Sequence, residues 1–377
     1  MPTKMVRSIF LAGPTPRDAE TPSWRPEALQ ILEELGYDGH VFVPENEDGQ
    51  WRSGYEDQIE WEELALNQAD CILFWVPREL DKMPAFTTND EWGYWKDTGK
   101  VVFGAPEGAE KVRYQQHYAE KYKVPTATTL RDTLKNAVKM VEDGRLRQNG
   151  EVKVPLYIWN QPSFQSWLSY QNHAGNVLKD ARVLWTFRVG KSLDKVFCWV
   201  LHVKVYITSE DRVKENEFVI GRPDISSIVL WHRGINTMDS MSVVLVREFR
   251  SPGRTLDGFL REPPGGSAKL GTVINDPQHV ALEELKEETD FVIDRKRLKA
   301  HPMRQLYGTL SSVGAFVYSA EITTEELEFF RAQAGQVHGV VADSEQTYTE
   351  IHRVGDLLKD PLTDWATLGM IFSALGR

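Results

Sequence analysis

The chain is poor in cysteine. Cys71 and Cys198 are the only two among 377 residues, and both sit in apolar, strand-like runs. A disulfide framework is therefore excluded, and packed thiols in a reducing, cytoplasmic setting are expected. The chain also lacks an excess of positive charge. Its 44 Lys and Arg stand against 55 Asp and Glu, for a formal net charge of −11. Nonspecific nucleic-acid binding needs a basic footprint, so no nucleic-acid partner is expected. There is no long apolar run at the N-terminus, hence no expected signal peptide or membrane span. Repeats and low-complexity tracts are absent too. What is present is a globular composition, with 41% hydrophobic and 26% charged residues. The length suits two or three domains. The twelve tryptophans exceed what a core of this size usually takes, so some are candidates for stacking on flat bases.

Over the first 140 residues, apolar strands alternate with amphipathic helices. Residues 8–12 read as a strand ending at Gly13-Pro14, and Ser23 is placed to cap a helix through residue 35. Strands are expected at 40–43, 71–76 and 100–104, and helices at 55–69, from 89 to 95, and at 129–141. This alternation predicts an α/β fold, a doubly wound parallel sheet covered on both faces. Ligands in such sheets bind beyond the carboxyl ends of the strands. The polar turns Gly13-Pro14-Thr15, Pro44-Glu45 and Pro77-Arg78 fall there.

The motifs I-F-L-A-G-P-T-P-R, S-W-R-P-E-A-L, Y-E-D-Q-I-E-W-E, A-D-C-I-L-F-W-V-P-R and F-T-T-N-D-E-W-G occur in that order between residues 9 and 95. The region from about residue 9 to 141 resembles the nucleoside 2-deoxyribosyltransferase-like family. That resemblance implies small-molecule nucleoside or nucleotide substrates and cleavage or transfer of an N-glycosidic bond. It places Glu91 as the nucleophile on the sugar C1′, which splits the transfer into two easier steps. Asp70 is the matching strand aspartate, expected to orient substrate or assist proton transfer; a turn residue is the plainer reading. Gly13, Trp24 and Asn89 are expected substrate contacts, with Arg25, Trp75 and Trp92 as further candidates. A further family aspartate falls at Ala85, so Asp57 and Glu60 are alternative acids. The resemblance also implies a homo-oligomer, because such transferases often complete their sites across a subunit interface.

A second constellation lies at A-L-E-E-L-K-E-E-T-D-F, residues 281–291. Residues three and four apart share a helix face, so Glu284, Glu287 and Glu288 point together. Carboxylates held side by side repel unless a cation joins them, and oxygen donors suit Mg²⁺ or Mn²⁺. Upstream stand the turn E-P-P-G-G, with Gly265 available for close backbone approach to a ligand, and the helix start Asp276-Pro277. This order resembles the Nudix box, departing from it at Glu283 and Asp290. The extra charge of Glu283 is expected to raise the carboxylate pKa values. The resemblance implies Mg²⁺-dependent hydrolysis of a diphosphate in a nucleoside diphosphate derivative such as ADP-ribose or a nucleotide sugar. It makes Glu284, Glu287 and Glu288 the metal ligands, with Glu284 also catalytic. Arg250, ending the strand V-V-L-V-R-E-F-R, becomes a substrate contact, and Glu345 the loop acid that activates water, with Asp343 behind it.

The polar stretch 143–153 reads as a linker. It separates a domain over 1–142 from an α+β Nudix domain over 154–377, whose first part, 154–234, is a β-rich extension. The whole reads as a bifunctional enzyme of nucleotide metabolism. Two alternatives stay open: only the Nudix domain is catalytic and the first domain binds nucleotide, or the Nudix domain is a ligand-binding regulator.

Overall fold

The computed structural model describes residues 1–18, 20–45, 54–235, 237–267, 269–271, 275–339 and 346–376. They form two compact units, Met1–Ile220 and Gly221–Arg377.

The first unit opens with β1 (Lys4–Met5), β2 (Ser8–Ala12), α1 (Arg25–Glu34), β3 (His40–Phe42), α2 (Tyr55–Gln68) and β4 (Cys71–Trp75). It continues with α3 (Phe86–Trp95), β5 (Val101–Gly104), α4 (Arg113–Lys121), β6 (Thr126–Ala127) and α5 (Leu130–Met140). The five longer-range strands form a parallel sheet in the order β3-β2-β4-β5-β6. Every residue of β2 and β4 is buried, as expected of strands covered on both faces. The chain leaves β2 toward β3 on one side and reaches β4 on the other. A topological switch point therefore lies between the carboxyl ends of β2 and β4, where doubly wound sheets bind ligands. The Thr129 side chain caps α5 by accepting from the Asp132 N–H at 3.1 Å, and Leu130, Leu134 and Ala137 face the sheet.

The expected linker is corrected by the structure. β7 (Arg147–Gln148) pairs antiparallel with β1, and a 3-10 turn follows over Asn149–Lys153. Beyond it run α6 (Leu156–Trp159), α7 (Pro162–His173), β8 (Val177–Val189), β9 (Lys195–Ile207) and β10 (Arg212–Gly221). The three strands form one sheet in the order β10-β9-β8, with β8 and β9 antiparallel. Its inward residues Leu178, Trp199 and Leu201 share one buried cluster with Phe164 and Trp167 of α7 and with Ile9, Leu73 and Ile31. Residues 154–220 therefore belong with the first unit, not with a C-terminal domain starting at 154. Alternation identified these strands but carries no information on which core their apolar face completes.

The second unit holds β11 (Ile225–His232), β12 (Ser242–Phe249), β13 (Phe259–Glu262), β14 (Gly265–Ser267), α8 (Pro277–Thr289), β15 (Lys299–Ala300) and β16 (Arg304–Gln305). It closes with β17 (Gly314–Glu321), α9 (Thr324–Ala332), β18 (Val337–His338), β19 (Thr347–Arg353), α10 (Val354–Leu357) and α11 (Trp365–Ala374). Its strands form one mixed sheet with β11 and β17 parallel at the centre. One face buries Ile228, Leu230 and Val244 against Leu285 of α8 and Phe330 of α9. The other buries Val229 and Leu245 against Leu357 of α10 and Ile371 of α11. Among the described residues, no helix is long and apolar enough to cross a membrane.

Candidate functional site

The site of the first unit is built at the switch point, on the turn after β2. Gly13 is required there by crowding. A Cβ on it would lie 2.2 Å from the Trp75 carbonyl oxygen and 2.8 Å from the Trp24 ring. Trp24 is buried, with 7% of its surface exposed, and its Nε1 donates to the Pro14 carbonyl at 3.1 Å. The Arg25 guanidinium lies over its ring, 4.8 Å from the centroid. Trp24 is thus a wall that holds Arg25, and Gly13 is the space that lets Trp24 and β4 close together. Gly13→Ala is expected to cost about 2 kcal/mol through overpacking and to displace Arg25. Thermal melting and activity, measured together, check this.

Arg25 is the centre of the site. Its Nη2 donates to the Gly13 carbonyl at 2.7 Å, its Nε to the Leu11 carbonyl at 3.2 Å, and its Nη1 to the Thr15 hydroxyl at 3.2 Å. It also pairs with Glu45. Ser23 completes the group, donating to Glu45 at 2.6 Å. Three turns from three elements thereby hold one buried cation at the carboxyl ends of β2 and β3.

Two carboxyl groups face that cation. Glu91, on α3, is pushed up to about 8 by burial and by the charge of Glu62, with Arg25 pulling the other way. Glu62, on α2, is also raised by burial, while its bond from Gln58 (2.7 Å) and the charge of Arg25 lower it. Two carboxyls that resist joint ionisation beside one fixed cation are an acid–base arrangement. Glu62 was missed in favour of Asp57 and Glu60, which are exposed. The signal was available: Gln58, Ala65 and Leu66 are buried, and Glu62 lies on their helix face at spacings of three and four.

Asp70 is corrected. It precedes β4 at the amino end of the sheet, the end opposite Gly13. It is 3% exposed and spends both oxygens on Arg147 at 2.6 and 2.7 Å. It accepts further from the Ser8 hydroxyl at 3.0 Å and the Leu156 N–H at 2.9 Å. Its role is to tie β2, β4, β7 and α6 together. Asn89 is corrected as well. Its side chain accepts from Arg78 and lines a cleft with Trp92, Gly93 and Lys96. Glu91 lies two residues on, about 200° around the helix, and faces the other way. Ala85, at the place of the family aspartate, precedes α3 in the left-handed conformation with φ 61°.

In the second unit, α8 starts where Asp276-Pro277 predicts, with the Asp276 side chain accepting from the His279 N–H at 3.1 Å. Glu288 is 6% exposed and accepts from the Gly265 N–H at 2.9 Å. Its carboxyl is raised well above the ordinary range by burial first, then by Glu284 and Glu248. Gly266 leaves room for Glu284, whose Oε1 would lie 2.2 Å from a Cβ there. Glu287, by contrast, is exposed. Among the described residues, no three His, Cys, Asp or Glu side chains gather at metal-binding spacing.

Arg250 pairs with Glu262 at 2.6 Å and Glu248 at 2.9 Å. In the structure Arg250 thus bridges a carboxylate of β12 and one of β13. Gly265 serves strand pairing, since a Cβ on it would meet the Ser227 hydroxyl at 2.4 Å. Glu283 points outward to His279 at 3.3 Å and takes no part in raising Glu288. Asp290 takes the left-handed backbone, φ 54°, that glycine favours at a helix end; aspartate tolerates it better than most residues. Glu345 and Asp343 lie outside the described residues.

A doubly wound parallel sheet with a carboxyl pair and a buried arginine at its switch point defines the first unit. Residues 6–109 match the family described as Nucleoside 2-deoxyribosyltransferase like. The N-terminal part of the chain is thus a nucleoside 2-deoxyribosyltransferase-like domain, which points to nucleoside metabolism. No curated protein matches the chain.

Proposed function

We propose that the first unit cleaves or transfers an N-glycosidic bond of a nucleoside or nucleotide, with Glu91 attacking the sugar C1′. The observation that carries this reading is the convergence of Glu91, Glu62 and the Arg25–Glu45 pair on the family-matched switch point. Glu91 must be ionised to attack, forming a bond to C1′ as the bond from C1′ to the base breaks. Glu62 is the group positioned to carry the proton that the departing base needs. Arg25 is held too tightly to be displaced, so it sets the field in which one carboxyl ionises before the other.

For the second unit we propose diphosphate hydrolysis of a nucleoside diphosphate derivative. The support is the order glycine strand, capped helix start, glutamate helix, together with the pairing of Glu284 and Glu288 against Gly265 and Gly266. Two like-charged carboxyls, one of them buried, fit a divalent cation better than they fit each other. Glu284 and Glu288 are the residues that would hold Mg²⁺ or Mn²⁺; bound there, it would polarise a phosphoryl oxygen and neutralise developing charge. Glu287, the third ligand of the sequence reading, would have to turn inward to join them.

Mass spectrometry of products from nucleosides, nucleoside monophosphates, ADP-ribose and nucleotide sugars, with Mg²⁺ present, tests both halves. Free base is expected from the intact chain and from Glu284→Gln/Glu288→Gln, but not from Glu91→Ala. Monophosphate is expected from the intact chain and from Glu91→Ala, but not from the double variant. Base release that persists in Glu91→Ala removes Glu91 as nucleophile. Calorimetric binding of ADP-ribose without cleavage would make the second unit a regulator.

A further inference from the structure

The cleft on the other side of α3 has its own chemistry. It encloses about 490 Å³ between α3 and α4. Arg78, on the loop after β4, lines it and is 4% exposed. Its Nη1 donates to the Lys111 carbonyl at 3.0 Å, and its Nη2 to the Asn89 side chain. Among the described residues no carboxylate lies within ion-pair distance of it. Glu110, on the neighbouring loop, gives its carboxylate to the Leu80 N–H at 2.7 Å. The Arg78 Nε and the Nε1 of Trp92, which lines the same cleft, are buried donors without an acceptor. A buried cation with neutral partners and spare donors is destabilising unless an anion reaches it.

The rest of the lining is consistent with an anionic occupant. Lys96 and Lys111 add two further cations. Lys111 is exposed and has no ion pair among the described residues. Tyr114, at the rim, is 69% exposed and packs at a tilt against Tyr118, their ring centroids 4.9 Å apart and their planes at 60°. An exposed aromatic ring and a recessed guanidinium flanked by two lysines are the two halves of a site for an aromatic phosphate ester.

We propose that the cleft between α3 and α4 binds a phosphate monoester, with Arg78, Lys96 and Lys111 receiving the phosphate and Tyr114 stacking the attached aromatic group. The site is separate from Glu91, and the proposal stands whether or not Glu91 acts as a nucleophile.

Isothermal titration of the full chain with inorganic phosphate, a nucleoside monophosphate and the same nucleoside without phosphate tests it. Tryptophan fluorescence is followed in parallel in the intact chain and in Trp92→Phe, whose difference isolates Trp92 among the twelve tryptophans. The monophosphate is expected to bind about tenfold tighter than phosphate through one stacked ring, and the bare nucleoside to leave this site empty. Lys111→Gln is expected to weaken both phosphate ligands about tenfold. Tyr114→Ala should reduce the monophosphate to the affinity of phosphate and leave phosphate itself unchanged. Arg78→Gln should abolish both. Lys111 and Tyr114 are exposed, so their variants fold even if the Arg78 change does not. Absence of phosphate binding at millimolar concentration overturns the proposal. So does monophosphate binding that neither Lys111→Gln nor Tyr114→Ala moves, since that binding would lie elsewhere, or a monophosphate no tighter than phosphate.

Discussion

Glu91→Gln is expected to make the first unit more stable above pH 8 while abolishing base release. The Glu91 carboxyl lies at about 8, against an ordinary value of 4.5. The folded unit therefore holds a proton that the unfolded chain has lost between those two values. Stability from this group is fully present below pH 4.5 and falls as pH rises through about 8. Each tenfold change in proton affinity is worth about 1.4 kcal/mol, so deprotonation within the fold costs on the order of 5 kcal/mol. Glutamine keeps the size and the hydrogen-bonding edge of the side chain but has no proton to lose. The melting transition of the first unit should accordingly fall from pH 5 to pH 8.5 in the intact chain and stay nearly level in the variant. A nucleophile must be ionised, so base release by the intact chain should rise through about pH 8. Removing the neighbouring charge with Glu62→Gln should move the fall in the melting transition toward lower pH, while base release slows because the proton carrier is gone. A melting profile with the same slope in both proteins would mean that Glu91 is ionised throughout, and the acid–base division of the site would fail.

The fold and the site were legible in the sequence to different depths, for physical reasons. Fully buried parallel strands write themselves as unbroken apolar runs, which is why β2 and β4 were readable, and their turns located the switch point. The helix that carries Glu91 was legible through its motif, and Asp276 through its capping chemistry. The helix α4 was not, because of its nine residues only Gln115 and Ala119 are buried, leaving no apolar stripe. Arg25 and Glu45 stand twenty residues apart, and no local pattern announces such a pair. Asn89 and Glu91 share one motif but opposite helix faces, so a motif read as a unit sends both to one ligand. In the second unit, Asp290 departs from the box pattern yet keeps the backbone that the pattern needs, and Glu283 departs without touching the buried carboxyl.

The largest structural effect is expected at the residue that the sequence assigned to chemistry. Asp70 and Arg147 are both wholly buried in their side chains and bonded through two parallel contacts. Asp70 further accepts from the Ser8 hydroxyl and the Leu156 N–H, so four elements meet on one carboxylate. Replacing one partner leaves the other charge buried without compensation, which costs about 3–5 kcal/mol. Asp70→Asn is nearly isosteric and should still lose that amount, because the uncompensated Arg147 guanidinium remains. The double variant Asp70→Asn/Arg147→Met removes both charges and should recover a large part of the loss, since a buried pair is worth little more than well-packed neutral groups. Denaturant unfolding of the three proteins, followed by the signal of the first unit, gives the coupling directly. Base release measured below the melting point of each variant separates the two roles. A positioning carboxylate at the far end of the sheet predicts that residual folded Asp70→Asn keeps its turnover rate with stability reduced. Turnover lost at full stability would return Asp70 to the chemistry of the site.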